Sequence, residues 1–474
     1  MEGPQFSTRA ESKMYRAWGA DIINMSVLPE AKLAREAELG YALIATSTDY
    51  DSWRENETTV TAAEVFKVLQ TNANLSRTVA ANILDELHEA AEEGHILTEE
   101  VGCMNGSRAD ADADRNLIGS GDASSSAQDS RVSLAALIFI LFHHVHRSNA
   151  FPFLASIRRF LRTKNMSAAE AKDNVLIGVI GGSGLYHLDN LTFIKQVNPE
   201  TPWGHPSSPI SICALPSGTK VAFLARHGPG HAISPSAIPV RANIAALKSL
   251  GIRAILAFSA VGSLREEIAP GDFVLPTQII DRTKGIRPCS FFEGTSIVAH
   301  ASFGDPFSNK FVEWLEKPVR EIIDAHGNGA KLHTGKCIIC MEGPQFSTRA
   351  ESKMYRAWGA DIINMSVLPE AKLAREAELG YALIATSTDY DSWRENETTV
   401  TAAEVFKVLQ TNANLSRTVA ANILDELHEA AEEGHILTEE VGCMKYAIMP
   451  RSEKQKEEDI QKLSFVLPEY FKVN

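Results

Sequence analysis

Residues 341–444 repeat residues 1–104 letter for letter, from MEGPQFSTRAES through to TEEVGCM. Repeats that stack, as in solenoids, drift in sequence and recur at periods of tens of residues. Two undiverged copies 340 residues apart do neither. Such identity marks a recent duplication or a mis-joined gene, with a second copy placed ahead of an otherwise complete protein. The first copy opens at a Met that is internal in the second, as expected where translation starts at the first available codon.

The duplication changes how the bulk properties read. A length of 474 residues by itself suggests two or three domains. Without the duplicate and the stretch that joins it, about 310 residues remain from Met166, enough for one α/β domain with a well-buried core. The net charge of −14 is also counted twice in part. Each copy carries 18 acidic and 8 basic residues, which leaves the rest of the chain at +6. With no sustained basic stretch, nucleic acid is not an expected partner.

The six cysteines suggest a reducing compartment rather than a disulfide framework, and Cys103 and Cys443 are one duplicated position. Cys337 and Cys340 form a CxxC without a second ligand pair, so they read as two residues of a buried strand, and no metal is expected. No secretory signal opens the chain. The longest apolar run, Leu134 to Phe142, has nine residues, and a bilayer needs about 20. No membrane partner is expected.

Three segments follow. Residues 1–104 are a partial duplicate of the carboxyl-terminal half. Residues 105–165 are a linker: GSRADADADRNLIGSGDASSSAQDS is small, polar and low in complexity, and should bury no core. An apolar and then basic stretch follows it, readable as a membrane-surface helix or, through His143, His144 and His146, as a metal tract. Three histidines within four residues sit too close to meet one metal from a regular element, so translated non-coding sequence is the favoured reading. Residues 166–474 are a complete α/β domain.

In that domain NVLIGVI (174–180), KVAFLA (220–225), RAILAF (253–258), DIINM (361–365) and YALIATST (381–388) read as strands. LPEAKLAREAEL reads as a helix with Pro near its start, and residues 401–434 as one or two long amphipathic helices. Polar or glycine-rich clusters fall just past the strand ends, where open α/β sheets assemble ligand sites.

Each cluster alone has a bland reading. GGSG at Gly181, Gly182, Ser183 and Gly184 could bring backbone amides to an anion or be a plain turn. Arg226-His227-Gly228 suits an oxyanion or a surface ion pair. SAVGSLREEI (259–268) is another hydroxyl-bearing turn. Asn364, Met365 and Ser366 set a hydroxyl beside a Met that would ordinarily be core. Asp389 and Asp391, two apart in an extended segment, would point to one side and hold one ligand edge, or merely be acids of a surface loop.

In combination these segments resemble the methylthioadenosine phosphorylases of the purine nucleoside phosphorylase superfamily, from about Val175 to Leu467. The resemblance is carried by IGVIGGSGL, LARHG, GSLREEI with Gly271-Asp272, IDRT (280–283), EGPQFSTRAES (342–352), WGADIINM, PEAKLAREA and ATSTDYDSW. It implies a single-domain nucleoside phosphorylase fold, with a central mixed β-sheet flanked by helices. It implies phosphorolysis of 5′-methylthioadenosine to adenine and 5-methylthioribose 1-phosphate, with no cofactor and with inorganic phosphate as co-substrate. Phosphate would be held by Ser183, Arg226, His227, Ser259, Ala260 and Ser366. The nucleoside would be held by Phe346, Met365, Asp389 and Asp391, the two aspartates serving the departing base as catalytic groups.

Ser347 and Asp389 stand where a 6-oxopurine enzyme would show Glu and Asn, which favours an aminopurine. Ala402 is a second specificity position, small enough to leave room beside the 5′ group. His300 and Val466 resemble positions that reach a neighbouring subunit's pocket, so the resemblance implies a homotrimer, located in the cytoplasm and in the nucleus as well. Ser183, Ser259 and Ser366 replace a frequent Thr, Val261 a frequent Cys and Gln345 a frequent Arg. Two alternatives stand beside this reading: a 6-oxopurine nucleoside phosphorylase, and a non-catalytic fusion whose extra segment blocks trimerisation. The first copy, lacking GGSG, RHG and SAVGS, is expected to hold half a site and half a sheet and to pack poorly.

Overall fold

Short apolar runs widely separated in sequence pair with one another as strands. The computed structural model describes residues 1–54, 62–93, 174–181, 191–394, 402–437 and 439–472. Its strands among these residues are β1 (Val175–Gly181), β2 (Thr192–Val197), β3 (Ile210–Ala214), β4 (Lys220–Ala225), β5 (Ala254–Ser263), β6 (Phe273–Asp281), β7 (Leu332–Cys340), β8 (Ile362–Asn364) and β9 (Gly380–Asp389). They lie in the order β2-β3-β4-β1-β5-β8-β7-β6-β9, and β9 returns to pair with β5. That pairing closes β5, β8, β7, β6 and β9 into a ring. The central strands β1, β4, β5 and β9 are parallel, so their carboxyl ends share one edge. Both β1 and β9 are buried along nearly their whole length, which is why they read as unbroken apolar runs rather than alternating ones.

The helices are α1 (Arg9–Ala17), α2 (Val27–Glu36), α3 (Ala62–Glu92), α4 (Val240–Ser249), α5 (Asn309–His326), α6 (Arg349–Ala357), α7 (Val367–Glu376), α8 (Ala402–Glu433) and α9 (Glu457–Ser464). In α5 the buried Phe311, Leu315, Val319 and Ile323 recur every fourth residue, a single apolar stripe. Every residue of α7 is buried, and it packs on α4 and β9. The fold is thus a mixed sheet flanked by helices. Cys340 lies fully buried in β7, as a strand reading of the CxxC requires, and burial pushes its thiol up to about 12. Among the described residues no helix is long and apolar enough to cross a membrane.

The two identical copies take different structures. Each helix of the second copy has a counterpart in the first, down to the capping boxes Thr8–Glu11 and Thr348–Glu351. The strands do not: residues 22–24 and 40–49, identical to β8 and to Gly380–Asp389, form no strand. Ile22, Leu28, Leu33 and Ile44 are 66%, 60%, 63% and 59% exposed, while Ile362, Leu368, Leu373 and Ile384 are 0–1% exposed. Each such side chain left in water forgoes about 2 kcal/mol.

The chain divides into two compact units. Of the described residues, one unit holds 22–49 and 64–93 with Met1. The other holds 2–21, 50–54, 62–63 and everything from 174 onward. Residues 2–21 therefore depart from the expectation that the first copy packs poorly throughout. They are integrated into the main unit, with Gln5, Ser7, Thr8, Glu11 and Ser12 at most 3% exposed.

One buried ion pair ties the unit together. Arg226, just past β4, is 1% exposed, and its guanidinium is held in a two-pronged contact with Glu370 of α7, at 0%. It also donates to the Phe258 carbonyl at 2.9 Å, and the Tyr381 hydroxyl donates to Glu370 at 2.9 Å. Replacing Glu370 by Ala strips a buried cation of its bidentate partner, and should lower the unfolding free energy by about 3–5 kcal/mol. Urea titration checks this against Glu321→Ala, which opens an exposed pair and should change it by under about 1 kcal/mol. Equal effects would show that the buried pair is not what holds the elements together.

Candidate active site

Residues 258–262 of β5 form a spine beneath the clustered polar groups. At one end the Phe258 carbonyl receives Arg226. Next come Ser259 and Ala260, both half-buried. Farther on, the Val261 carbonyl lies 3.2 Å from the Thr388 hydroxyl, and Gly262 pairs with Asp389 across a bulge. From Phe258 to Gly262 an extended strand covers roughly 13 Å. One strand therefore offers a cation and hydroxyls at one end and carboxylates at the other.

At the first end, the Ser259 and Ser366 hydroxyls stand 3.3 Å apart. The Asn364 amide donates to Ser259 at 3.2 Å and lies 3.5 Å from Ser366. Parallel β7–β8 pairing sets Asn364 opposite Cys340, and antiparallel β5–β8 pairing carries the turn to β5. The Asn364 side-chain oxygen Oδ1 is buried without a hydrogen-bond partner, an open acceptor position, while its backbone carbonyl accepts from the Met341 N–H at 2.9 Å. Beside Arg226, the His227 ring donates from Nδ1 to the Ile233 carbonyl at 2.8 Å and stacks on His231 at 4.1 Å. Burial, reinforced by the Arg226 charge, lowers the His227 pKa to about 4. The ring is therefore neutral near pH 7 and presents a lone pair at Nε2. Ser183 lies outside the described residues.

At the second end, the Asp391 backbone N–H donates to Asp389 Oδ1 at 2.7 Å, and the Thr388 hydroxyl donates to Asp389 Oδ2 at 2.7 Å. Asp391 has φ of 50°. The two aspartates are thus brought together by a turn after β9, not by the alternation of an extended strand. Burial raises the Asp391 pKa, tempered by the nearby Ser352 and Ser347 hydroxyls, and its Oδ2 accepts no hydrogen bond. Gly262 backs this pair: a Cβ there would come within 3.0 Å of Ile363, 3.1 Å of Asp389 Oδ1 and 3.4 Å of Asp391 Cβ.

Met365, between Asn364 and Ser366 in the chain, is half-buried. Arg287 fixes it, donating to the carbonyls of Met365 at 2.7 Å, Leu368 at 2.8 Å and Glu342 at 2.7 Å, and pairing with the Glu342 carboxylate at 2.8 Å. Gly343, at φ of +70°, leaves room for the thioether, since a Cβ there would meet its sulfur at 2.4 Å. Ser347 is buried, and Phe346 is 40% exposed. Ala402 opens α8.

Two positions expected to face a neighbour behave differently. His300 is half-buried, donating from Nδ1 to the Pro4 carbonyl at 2.7 Å, with its ring 6.0 Å from Phe6. Val466 is fully buried and joined to the main core, so the structure presents no Val466 surface to another chain. That expectation is corrected. Three contributors were missed: the Asn364 amide, Arg287 and Gly262. Asn364 lay inside a motif already singled out; Arg287 and Gly262 act through partners about 55–130 residues away, which spacing does not reveal.

Comparison with known proteins places the chain in a family. The family model of the phosphorylase superfamily matches residues 1–88 and 176–428. An S-methyl-5′-thioadenosine phosphorylase of Coprinopsis cinerea is 65% identical over 320 residues, covering 64% of this chain and 99% of its own. One from Puccinia graminis is 56% identical, covering 62% and 98%. Among solved structures, a methylthioadenosine phosphorylase from an antarctic soil metagenomic library is 41% identical, with a TM-score of 0.57, covering 63% of this chain and all of its own. The Schistosoma mansoni methylthioadenosine phosphorylase, in complex with adenine, is 31% identical, with a TM-score of 0.54, covering 58% and 99%. With the family model matched over most of its length, this chain belongs to the phosphorylase superfamily.

Proposed function

We propose that the chain catalyses phosphorolysis of 5′-methylthioadenosine, giving adenine and 5-methylthioribose 1-phosphate for methionine and purine salvage. Inorganic phosphate is the second substrate in this reading, and no cofactor takes part. The observation that carries it is the buried Asp391 carboxyl, its pKa raised and one oxygen unpartnered, beside Asp389 and against Gly262 of the strand that carries Ser259. Phosphate would sit at the first end, among Arg226, His227, Ser259, the Ala260 backbone, Ser366 and Asn364, with Ser183 completing the set. Charge-assisted bonds from a guanidinium are the strong ones in such a cradle. The neutral His227 Nε2 accepts from a protonated phosphate oxygen rather than adding a second cation.

The glycosidic bond breaks with its electron pair moving onto the purine, whose N7 takes the proton of Asp391. Asp389 accepts from the 6-amino group. A phosphate oxygen then bonds to the sugar C1′, which passes through an oxocarbenium-like state, as in other glycosyl transfers. Met365 and Phe346 give the sugar and its 5′ substituent an apolar wall, with Ser347 and Ala402 shaping the base and 5′ ends. An inosine O6 would face the Asp389 carboxylate, acceptor against acceptor. The trimer, in which His300 of one chain reaches the site of the next, belongs to the same reading, for a chain whose 278–305 face is open.

Asp391→Asn keeps the shape and removes the transferable proton, so kcat for adenine release should fall by roughly 10²–10⁴. Methylthioadenosine should be preferred over inosine by roughly 10³-fold or more. A variant as fast as the parent, or brisk turnover of inosine, would refute the assignment. Because burial raises the Asp391 pKa, the proton donor persists above the ordinary carboxylate range and is lost as pH climbs through that raised value. Activity should therefore decline on the alkaline side, and the Asn variant should lose that limb.

His227 has a distinct pH signature. With its pKa lowered to about 4, the ring stays uncharged between about pH 6 and 8. The KM for phosphate should carry no inflection from this group in that window. An inflection near the ordinary 6.5 that disappears in His227→Gln would show an exposed, titrating imidazole instead.

A further inference from the structure

Residues 2–21 belong to no strand of the sheet, yet Gln5, Ser7, Thr8, Glu11, Ser12 and Met14 are buried like core. The Thr8 hydroxyl donates to the Ile279 carbonyl at 2.7 Å, and the Ala10 N–H to Gln278 at 3.0 Å. The Phe6 and Arg9 N–H groups donate to the Ala301 and Gly304 carbonyls at 3.3 and 3.0 Å. Glu11 pairs with Lys284 at 2.7 Å and accepts from the Asp281 N–H at 3.2 Å. The Gln5 amide donates to Glu376 at 2.7 Å. Met14 joins a small apolar cluster with Leu264, Ile280, Ile339 and Tyr355. Such a set of bonds, on a segment outside the sheet, describes a docked ligand and the face that receives it.

The same segment occurs again, folded the same way. Residues 342–361 carry the same capping box. Arg356 lies over Trp393 at 3.7 Å, as Arg16 lies over Trp53 at 3.6 Å. Tyr390 meets Trp393 at 6.2 Å and 86°, as Tyr50 meets Trp53 at 6.2 Å and 85°. What differs is the covering. Gln5 and Thr8 are buried against the face, whereas Gln345, Thr348, Arg349 and Ala350 are exposed. Ser347 and Ser352, which face the chain's own Asp391, are buried like Ser7 and Ser12. The second copy thus presents, outward and ready folded, the side by which the first copy docks. Trp18 and Trp358, the same residue in the two copies, meet at 5.0 Å, as counterparts do near an axis that relates equivalent units.

We propose that the duplicated residues 2–21 close from within the chain the face formed by residues 278–305, which the trimer reading gives to residues 342–361 of a second copy. Whatever the face recognises in 2–21 it recognises in 342–361, because the residues are identical. The contact within the chain wins by proximity, since tethering gives it an effective concentration that a separate chain must match.

The consequence reaches the active site and, in that respect, rests on the phosphorolysis reading. His300 bonds the Pro4 carbonyl and faces Phe6. In an association of the same geometry it would bond Pro344 and face Phe346 of the other chain, beside that chain's Ser347 and Asp391. With the face closed in cis, His300 instead adjoins a copy that has no counterpart of Arg226, Ser259 or Ala260. The complete site then lacks its histidine.

Light scattering on the full chain at micromolar concentration tests the closure. The parent should run as a single chain of 51.7 kDa. Glu11→Lys, which sets Lys against Lys284 and leaves Glu351 untouched, should open the face and give a species of more than one chain. Ser7→Trp, a bulky change at a fully buried position outside the sheet, should do the same. Adding Lys284→Glu to Glu11→Lys restores the pair in cis and repels Glu351, so the single chain should return. A parent that already associates, or Glu11→Lys remaining a single chain, overturns the proposal. If the larger species forms, the KM for methylthioadenosine should fall by roughly tenfold. Association with an unchanged KM would overturn the role of His300 alone, and association of a chain that turns over no methylthioadenosine would overturn the reading of function while leaving the closure intact.

Discussion

The Arg226–Glu370 pair is the contact on which the rest of the site depends. Its guanidinium leaves the end of β4, lies under the Phe258 carbonyl of β5 and grips α7, while Tyr381 of β9 holds the same carboxylate. Four elements converge on one buried charge pair. An isolated charge so placed would be prohibitively expensive, and the paired, hydrogen-bonded form is tolerable only when all the partners arrive together. That makes the arrangement all-or-none. The cation is positioned by the fold rather than by solvent, against the β5 residue next to Ser259 in sequence and the helix that Ser366 caps.

The repeated segment shows which part of structure is written locally. RAESKMYRA forms the same capped helix twice, because helical hydrogen bonds and a capping box close within a few residues. GYALIATSTD is a ten-residue strand between β5 and β6 in one copy and no strand in the other. Strand hydrogen bonds need a partner from elsewhere, and residues 40–49 have no free β5 to join. The register Ala254↔Gly380 through Ala260↔Thr386 is already taken by the copy adjoining it in the chain. The exposed Ile22, Leu33 and Ile44 are the cost of that exclusion.

The same distinction explains what the sequence revealed of the site. RHG and TDYD marked the ends of β4 and β9, because a strand's periodicity and its termination are both local, whereas SAVGS, expected as a turn, is strand through Ser263, held in β5 by its pairing with β9. Asn364 was within reach, since it lies inside a predicted strand two residues before Ser366. Arg287 and Gly262 were not: one is defined by carbonyls of residues 341–368, the other by the lack of space beside Asp389. The Asp389–Asp391 geometry also differed from expectation, because the left-handed turn at Asp391 follows no pattern that side-chain type announces. Val466 was misplaced for a related reason: its burial is a property of the assembled core.

The docked first copy adds a constraint that applies to any chain of this kind. Residues 342–361 and the 278–305 face are different surfaces, so association through them is head-to-tail. A head-to-tail contact propagates into rings or filaments only while each chain offers both surfaces. Closing one surface from within leaves the other exposed but without a receptor on any identical chain, so growth stops at the first step. A fragment lacking the receiving face cannot build a complete site. It can, by carrying an intact copy of the docking segment, decide whether complete sites form between chains. Identity of sequence is what gives it that control, and drift in residues 2–21 at Gln5, Thr8 or Glu11 would be enough to end it.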